Sequence, residues 1–200
     1  MSLYGLVLGR FQPLHVGHME YLEAAKEGCE RLIVGITNPD TSSLTYNQAD
    51  PNRSKGESNP FSYFLRYEMI DQTLRDAGWP PDSFAIVPAD VADLGKLPAF
   101  LPPADRTTVF VTVYDEWGEE KARRLEELGY AVRILWRRDM SERVTSGTEL
   151  RGLMQVSQPW EHLVPPAVAL HVKRSEWLPS AAPGGAFERG TSSRSNRTSG

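Results

Sequence analysis

Residues 3–18 read Leu3-Tyr4-Gly5-Leu6-Val7-Leu8, then Gly9-Arg10-Phe11-Gln12-Pro13-Leu14-His15-Val16-Gly17-His18. The first six are short and apolar with a glycine close behind, which is how a strand buried on both faces of a parallel sheet reads. From His18 onward Met19, Leu22, Ala25 and Lys26 recur at helical spacing, and Gly28 can stop that helix. Residues 31–37 (RLIVGIT) then form a second apolar strand. A strand, a helix and a strand within about thirty residues close as a right-handed parallel crossover. The fold class expected is therefore α/β.

Working outward, residues 38–60 turn to Asn, Asp, Ser, Thr, Pro, Gly and Lys without apolar periodicity. That stretch is longer than an ordinary connection, so it reads either as a functional lid or as a mobile insertion. A helix is expected over 62–76, opened by Asn59-Pro60 and closed near Gly78. Strands are expected over 84–87, 107–113 and 131–136, with an amphipathic helix at 119–128 ending at Gly129. A short helix at 148–154 follows, and then a segment at 160–172 broken by Pro165-Pro166. Beyond about residue 179 the chain is Ser, Gly, Arg, Thr and Asn with little to bury, so the expected division is one domain over 1–178 and a disordered tail over 179–200.

The chain has 200 residues, 40% of them hydrophobic, enough for one core but not for two. Its formal charge of -4 argues against a nucleic-acid partner, which calls for a basic face. Cys29 is the single cysteine, so neither an internal disulfide nor a thiolate zinc cluster can form. With no basic leader and no apolar run of about 20 residues, a membrane partner is not expected and the cytoplasm is. Oligomeric state is left open, a homo-oligomer included.

The chemistry is concentrated where the first strand ends. In a parallel sheet that edge binds ligands, and the turn there exposes backbone N–H groups and a helix N-terminus, both suited to an anion. Gly17 allows close approach of a phosphate, while His15 and His18, three apart, face one side. Metal binding by the two histidines is not expected, since no carboxylate or cysteine stands within the His15-Val16-Gly17-His18 motif to complete a site.

His15-Val16-Gly17-His18 resembles the H-x-G-H signature of the nucleotidylyltransferase superfamily. The preceding Gly9-Arg10-Phe11-Gln12-Pro13 looks like the archaeal-type nicotinamide mononucleotide adenylyltransferase branch rather than the cytidylyltransferases, whose lead-in differs. Ser146-Gly147-Thr148-Glu149-Leu150-Arg151 resembles the S-x-T-x-x-R element. Asn59-Pro60-Phe61 with Arg66 and Met69 resembles the N-P-F element and the E-R-x-x-M helix, with Leu65 where glutamate is usual. The resemblance spans residues 3–172 and implies a Rossmann-like parallel sheet with helices on both faces in a single domain.

It also implies transfer of the NMP part of a nucleoside triphosphate onto a phosphate-bearing small molecule, with release of pyrophosphate. ATP is the expected substrate, with CTP as the alternative, and Mg²⁺ the expected cofactor, bound mainly through the triphosphate. The family's roles fall on His18, His15 and Arg151 as catalytic residues and on Gly9, Arg10, Phe11, Gln12, Gly17, Ser146, Gly147 and Thr148 as nucleotide-binding ones. Asn59, Asp115, Glu116 and Trp117 are the expected acceptor-binding residues.

The acceptor half departs from the archaeal pattern. The 38–58 segment is long and carries Arg53 and Lys55, Pro88-Ala89-Asp90 stands where a stacking tryptophan is usual, and Tyr114-Asp115-Glu116-Trp117-Gly118 replaces an asparagine-rich turn. Trp117 could stack on a planar ring there with Asp115 or Glu116 taking a hydroxyl, or the acidic residues could simply open a helix. The acceptor is accordingly nicotinamide mononucleotide or, as the alternative, a phosphorylated or phosphonate metabolite. A pocket retained without turnover, in a nucleotide-binding regulatory protein, is the reading from another class.

Overall fold

In the computed structural model the described residues are 1–40, 56–89, 94–175 and 177. The tail beyond residue 178, most of the 38–58 segment with Arg53 and Lys55, and Asp90 lie outside them. Five parallel strands make one sheet in the order β3-β2-β1-β4-β5, where β1 is Ser2–Gly9, β2 Cys29–Thr37, β3 Phe84–Ala89, β4 Thr107–Val113 and β5 Ala131–Arg137. The helices are α1 (Val16–Lys26), α2 (Tyr63–Asp76), α3 (Glu116–Glu127), α4 (Gly147–Gln155) and α5 (Pro166–Arg174). The α/β class and every expected strand and helix are present.

Helix ends follow local chemistry. Ser62, Asp115 and Ser146 each cap a helix by accepting a backbone N–H three residues on, the donor otherwise left without a partner at a helix start. Gly129 follows α3 at φ 85°, a conformation in which a Cβ would be strained. The segment 160–172 is divided at Pro165-Pro166, as expected. Glu161–Leu163 is a single 3-10 turn, and α5 begins at Pro166, whose missing N–H costs nothing in a first turn.

The sheet is covered on both faces. One core gathers Val7, Phe11, Leu22, Ile36, Phe61, Met69, Phe110 and Val168 beneath α1, α2, α4 and α5, and the other gathers Leu6, Ile33, Val109, Val111 and Leu125 beneath α3. Because the chain goes from β1 to β2 on one side and returns for β4 on the other, the strand order reverses between β1 and β4. A crevice opens there at the strands' C-terminal ends.

Arg66 on α2 secures that edge. Its side chain is fully buried, yet it meets no carboxylate: Nη1 donates to the carbonyls of Arg10 (2.9 Å) and Thr37 (2.8 Å), and Nη2 to that of Asn38 (2.8 Å). Burial lowers its pKa to about 10, which leaves it charged at neutral pH. The guanidinium thus ties the ends of β1 and β2 to α2. Replacing Arg66 by Met keeps the apolar stem and strands three carbonyls, so urea denaturation should show a loss of about 2–4 kcal/mol with little change in slope. A loss below about 0.5 kcal/mol, the size of an ordinary surface change, would mean the three carbonyls find other donors.

Candidate active site

A cavity of about 320 Å³ occupies the crevice. It is lined by the β1–α1 turn, the start of α1, the ends of β4 and β5 and the start of α4. Three connections hold the turn. Gln12 reaches 49 residues ahead, donating from Nε2 to the Phe61 carbonyl (2.9 Å) and accepting the Phe61 N–H at Oε1 (3.0 Å). Arg66 takes the Arg10 carbonyl. Arg151, on α4, donates from Nη1 to the Gln12 carbonyl (2.7 Å) and from Nη2 to Thr148 Oγ1 (3.3 Å). Gly147 makes this approach possible, because a Cβ there would sit 3.0 Å from the Gln12 oxygen and 3.1 Å from Arg151 Nη1.

His15 caps α1. Its Nδ1 accepts the His18 backbone N–H at 3.3 Å, which puts the proton of a neutral ring on Nε2. The His18 ring stacks on it, with centroids 3.6 Å apart at 23°, and meets Phe11 edge-on at 4.9 Å. Burial, followed by the charge of Arg143, lowers His15 to about 4. His18 lies well below its usual value, first through burial and then through His15, Arg10 and Arg143. Both rings are therefore neutral N–H donors at neutral pH, beside guanidinium groups that supply the positive charge.

The structure brings Gly9, Arg10, Phe11, Gln12, His15, Gly17, His18, Asp115, Ser146, Gly147, Thr148 and Arg151 to this one cavity. Phe11 and Gln12 enter it differently from the expectation. The Phe11 ring belongs to the core and meets His18, and the Gln12 amide is spent on Phe61. Asn59 is buried, and it and Glu116 are not among the lining residues. Asp115 lines the cavity while its carboxylate accepts the Gly118 N–H at 2.9 Å, which is the helix-start reading. The side chain of Trp117 lies outside the described residues.

Sequence reading missed Glu20, Tyr21, Thr37, Lys121, Arg138, Arg143 and Thr145, all of which line the cavity. Arg138 and Arg143 had a usable signal. Trp136-Arg137-Arg138 ends a parallel strand, the same edge that drew attention after β1 and β4. Arg138 pairs through both Nη atoms with Glu20 of α1 at 2.9 and 2.7 Å and lies 4.2 Å from the Trp136 ring centroid, while Arg143 lies 4.1 Å from that of Tyr114.

Both carboxylates lining the cavity are thus engaged, Glu20 by Arg138 and Asp115 by a helix start. Among the described residues no three of His, Cys, Asp and Glu gather as a metal site. No helix among them is long and apolar enough to cross a membrane.

Comparison with known proteins places this geometry. The family model described as cytidylyltransferase-like matches residues 6–152. The chain is 46% identical over 169 residues to a phosphonoformate cytidylyltransferase of Streptomyces viridochromogenes, covering 84% of this chain and 90% of that protein. It is 29% identical to a nicotinamide-nucleotide adenylyltransferase of Thermococcus sibiricus, covering 84% and 82%. Among solved structures, a bifunctional NMN adenylyltransferase/ADP ribose pyrophosphatase from Francisella tularensis superposes with a TM-score of 0.62 at 17% identity. That match covers 86% of this chain and only 49% of the other, so the chain spans about half of the bifunctional protein and shares its fold in that half.

The histidine pair has a measurable signature. Between the ordinary histidine pKa of 6.5 and the folded value near 4, the unfolded chain binds protons that the folded chain does not. Stability present above pH 6.5 is therefore lost as the pH falls through that window, by up to about 1.4 kcal/mol per pH unit for each histidine. Denaturation of the wild type and of His15→Asn, which preserves a capping side chain, should diverge in slope between pH 6.5 and 4. Parallel slopes would mean that His15 is protonated in the folded protein.

Proposed function

The chain belongs to the cytidylyltransferase-like family and is a nucleotidyltransferase; from that premise we propose that it moves CMP from CTP onto a small phosphonate of the phosphonoformate type. The observation that carries this reading is the 46% identity to the phosphonoformate cytidylyltransferase across nearly the whole of both chains. The same reading accounts for the departures in the acceptor half, above all the missing tryptophan after β3. A nucleotide acceptor with a nicotinamide ring would use such a stacking residue and a small phosphonate would not. Transfer of AMP to nicotinamide mononucleotide is the second reading, favoured by the 29% identity to the archaeal enzymes.

In the reaction a phosphonate oxygen attacks the α-phosphorus of CTP, the bond from that phosphorus to the bridging oxygen breaks, and pyrophosphate leaves with the electron pair. The attacking oxygen is ionised near neutral pH, so no general base is needed and catalysis rests on alignment and charge. His18 donates an N–H to the α-phosphate as charge grows there, and His15, fixed as its Nε2–H tautomer, aligns the chain of phosphates. The N-termini of α1 and α4 with Ser146, Thr148 and Arg151 hold the outer phosphates, and Arg10 completes the positive field.

Mg²⁺ would be held mainly by the triphosphate itself, since the lining carboxylates Glu20 and Asp115 are already engaged, and would supply neutralisation of the phosphate charge. A single cysteine, Cys29, buried in the core, suits a cytoplasmic enzyme.

The deciding assay is pyrophosphate release with CTP or ATP, each paired with phosphonoformate or nicotinamide mononucleotide. Release that requires CTP and phosphonoformate supports the proposal, whereas release only with ATP and nicotinamide mononucleotide replaces it with the second reading. In the productive pair His18→Ala should lower kcat by about 100-fold or more, the scale of losing one transition-state donor, with the thermal transition little changed. Full turnover in a folded His18→Ala protein would remove this mechanism.

A further inference from the structure

The cavity has two unlike sides. On one, the starts of α1 and α4 with His15, His18, Ser146, Thr148 and Arg151 present donors, the chemistry of a phosphate site. On the other, at the ends of β4 and β5, the surfaces are planar. The Arg143 guanidinium lies over the Tyr114 ring, and Arg138, backed by Trp136, is clamped by the Glu20 carboxylate. Glu20 stands two residues past His18, about 3 Å further along α1 at the helical rise. A carboxylate repels a polyphosphate, and the faces of an aromatic ring and of a guanidinium, unlike guanidinium edges, offer it no donors. A nucleobase stacks on aromatic and guanidinium faces and pairs its edge with charged groups.

We propose that Glu20 reads the nucleobase: held in place by Arg138, its carboxylate accepts a hydrogen bond from the exocyclic amine of a base resting against the Tyr114–Arg143 face. The inference rests on the nucleotidyltransferase reading and deepens the choice of CTP. An ionised carboxylate is acceptor only, and the Arg138 hydrogen bond keeps the Glu20 pKa low. Each oxygen used by Arg138 retains a second lone pair. Cytosine and adenine offer an amine at the matching edge. Uracil and hypoxanthine offer a carbonyl, which would set two acceptors face to face and leave both unmatched. Tyr114 and Arg143 supply stacking area that any base can use, so the discrimination falls to Glu20.

The test compares wild type with Glu20→Gln, a near-isosteric change, by calorimetric titration with CTP, UTP and inorganic tripolyphosphate. Circular dichroism checks that the variant is folded. Wild type should bind CTP at least ~10-fold more tightly than UTP, the scale of one matched base contact. Glu20→Gln should bring the two within about 3-fold while binding tripolyphosphate as before, because a glutamine amide presents either edge. Tyr114→Leu should weaken CTP and UTP together and spare tripolyphosphate.

A full CTP-to-UTP ratio in Glu20→Gln overturns the proposal, as does a loss of tripolyphosphate binding in step with CTP. Should wild type bind ATP far better than CTP, the CTP reading fails by itself. The inference about Glu20 is then decided by ATP against inosine triphosphate: a ratio that collapses in Glu20→Gln supports it and one that persists removes it.

Discussion

The turn between β1 and α1 is fixed by donors that reach it from distant parts of the chain, and everything at the active site follows from that constraint. Arg66 comes from α2, Arg151 from α4, and Gln12 turns its own amide outward to the backbone of Phe61. A loop of this kind, left alone, would carry unsatisfied carbonyls at the bottom of a crevice. Here those carbonyls are used to bind the two neighbouring helices, so the site and its walls form one piece. The closeness of α4 to the turn, with Gly147 against the Gln12 oxygen, brings two helix N-termini to a single cavity.

The electrostatics are divided with comparable economy. The stacked histidines are kept neutral by burial and by the guanidinium groups around them, so each keeps an N–H to offer without adding to the repulsion among the cations. Positive charge is carried by the arginines and the lysine that line the cavity and by the helix N-termini. Of the arginines that hold the turn, Arg66 spends its donors on backbone carbonyls, and Arg151 spends one on the Gln12 carbonyl and one on the Thr148 hydroxyl. Arg143 lies on Tyr114, and its Nε has no hydrogen-bond partner among the described residues.

Much of the sheet was legible because parallel strands buried on both faces announce themselves as short apolar runs, and β1, β2 and β4 are of that kind. A helix start was legible at the small polar turn of Ser146, whereas the helix expected to open at Asn59-Pro60 is capped by Ser62. The β3 strand ran two residues further than periodicity indicated, through Pro88, which a strand at the sheet edge tolerates.

The site was half legible. Residues in compact motifs, His15, His18 and the Ser146 to Arg151 run, lie together as their spacing implied. Asn59 and Phe11 are both buried, and only Phe11 is among the residues that line the cavity, since a motif records position and not which way a side chain turns. Glu20 was invisible because its meaning depends on Arg138, 118 residues away, and no local pattern encodes such a pairing.

The fastening of the turn has an evolutionary corollary. Arg66 and Arg151 grip main-chain oxygens, and every amino acid has one. Gln12 apart, whose amide also holds Phe61, the residues being gripped, at positions 10, 37 and 38, can therefore be exchanged without loosening the grip. Substrate preference can drift through those positions, and through the walls beyond them, on a frame whose rigidity does not depend on what they become.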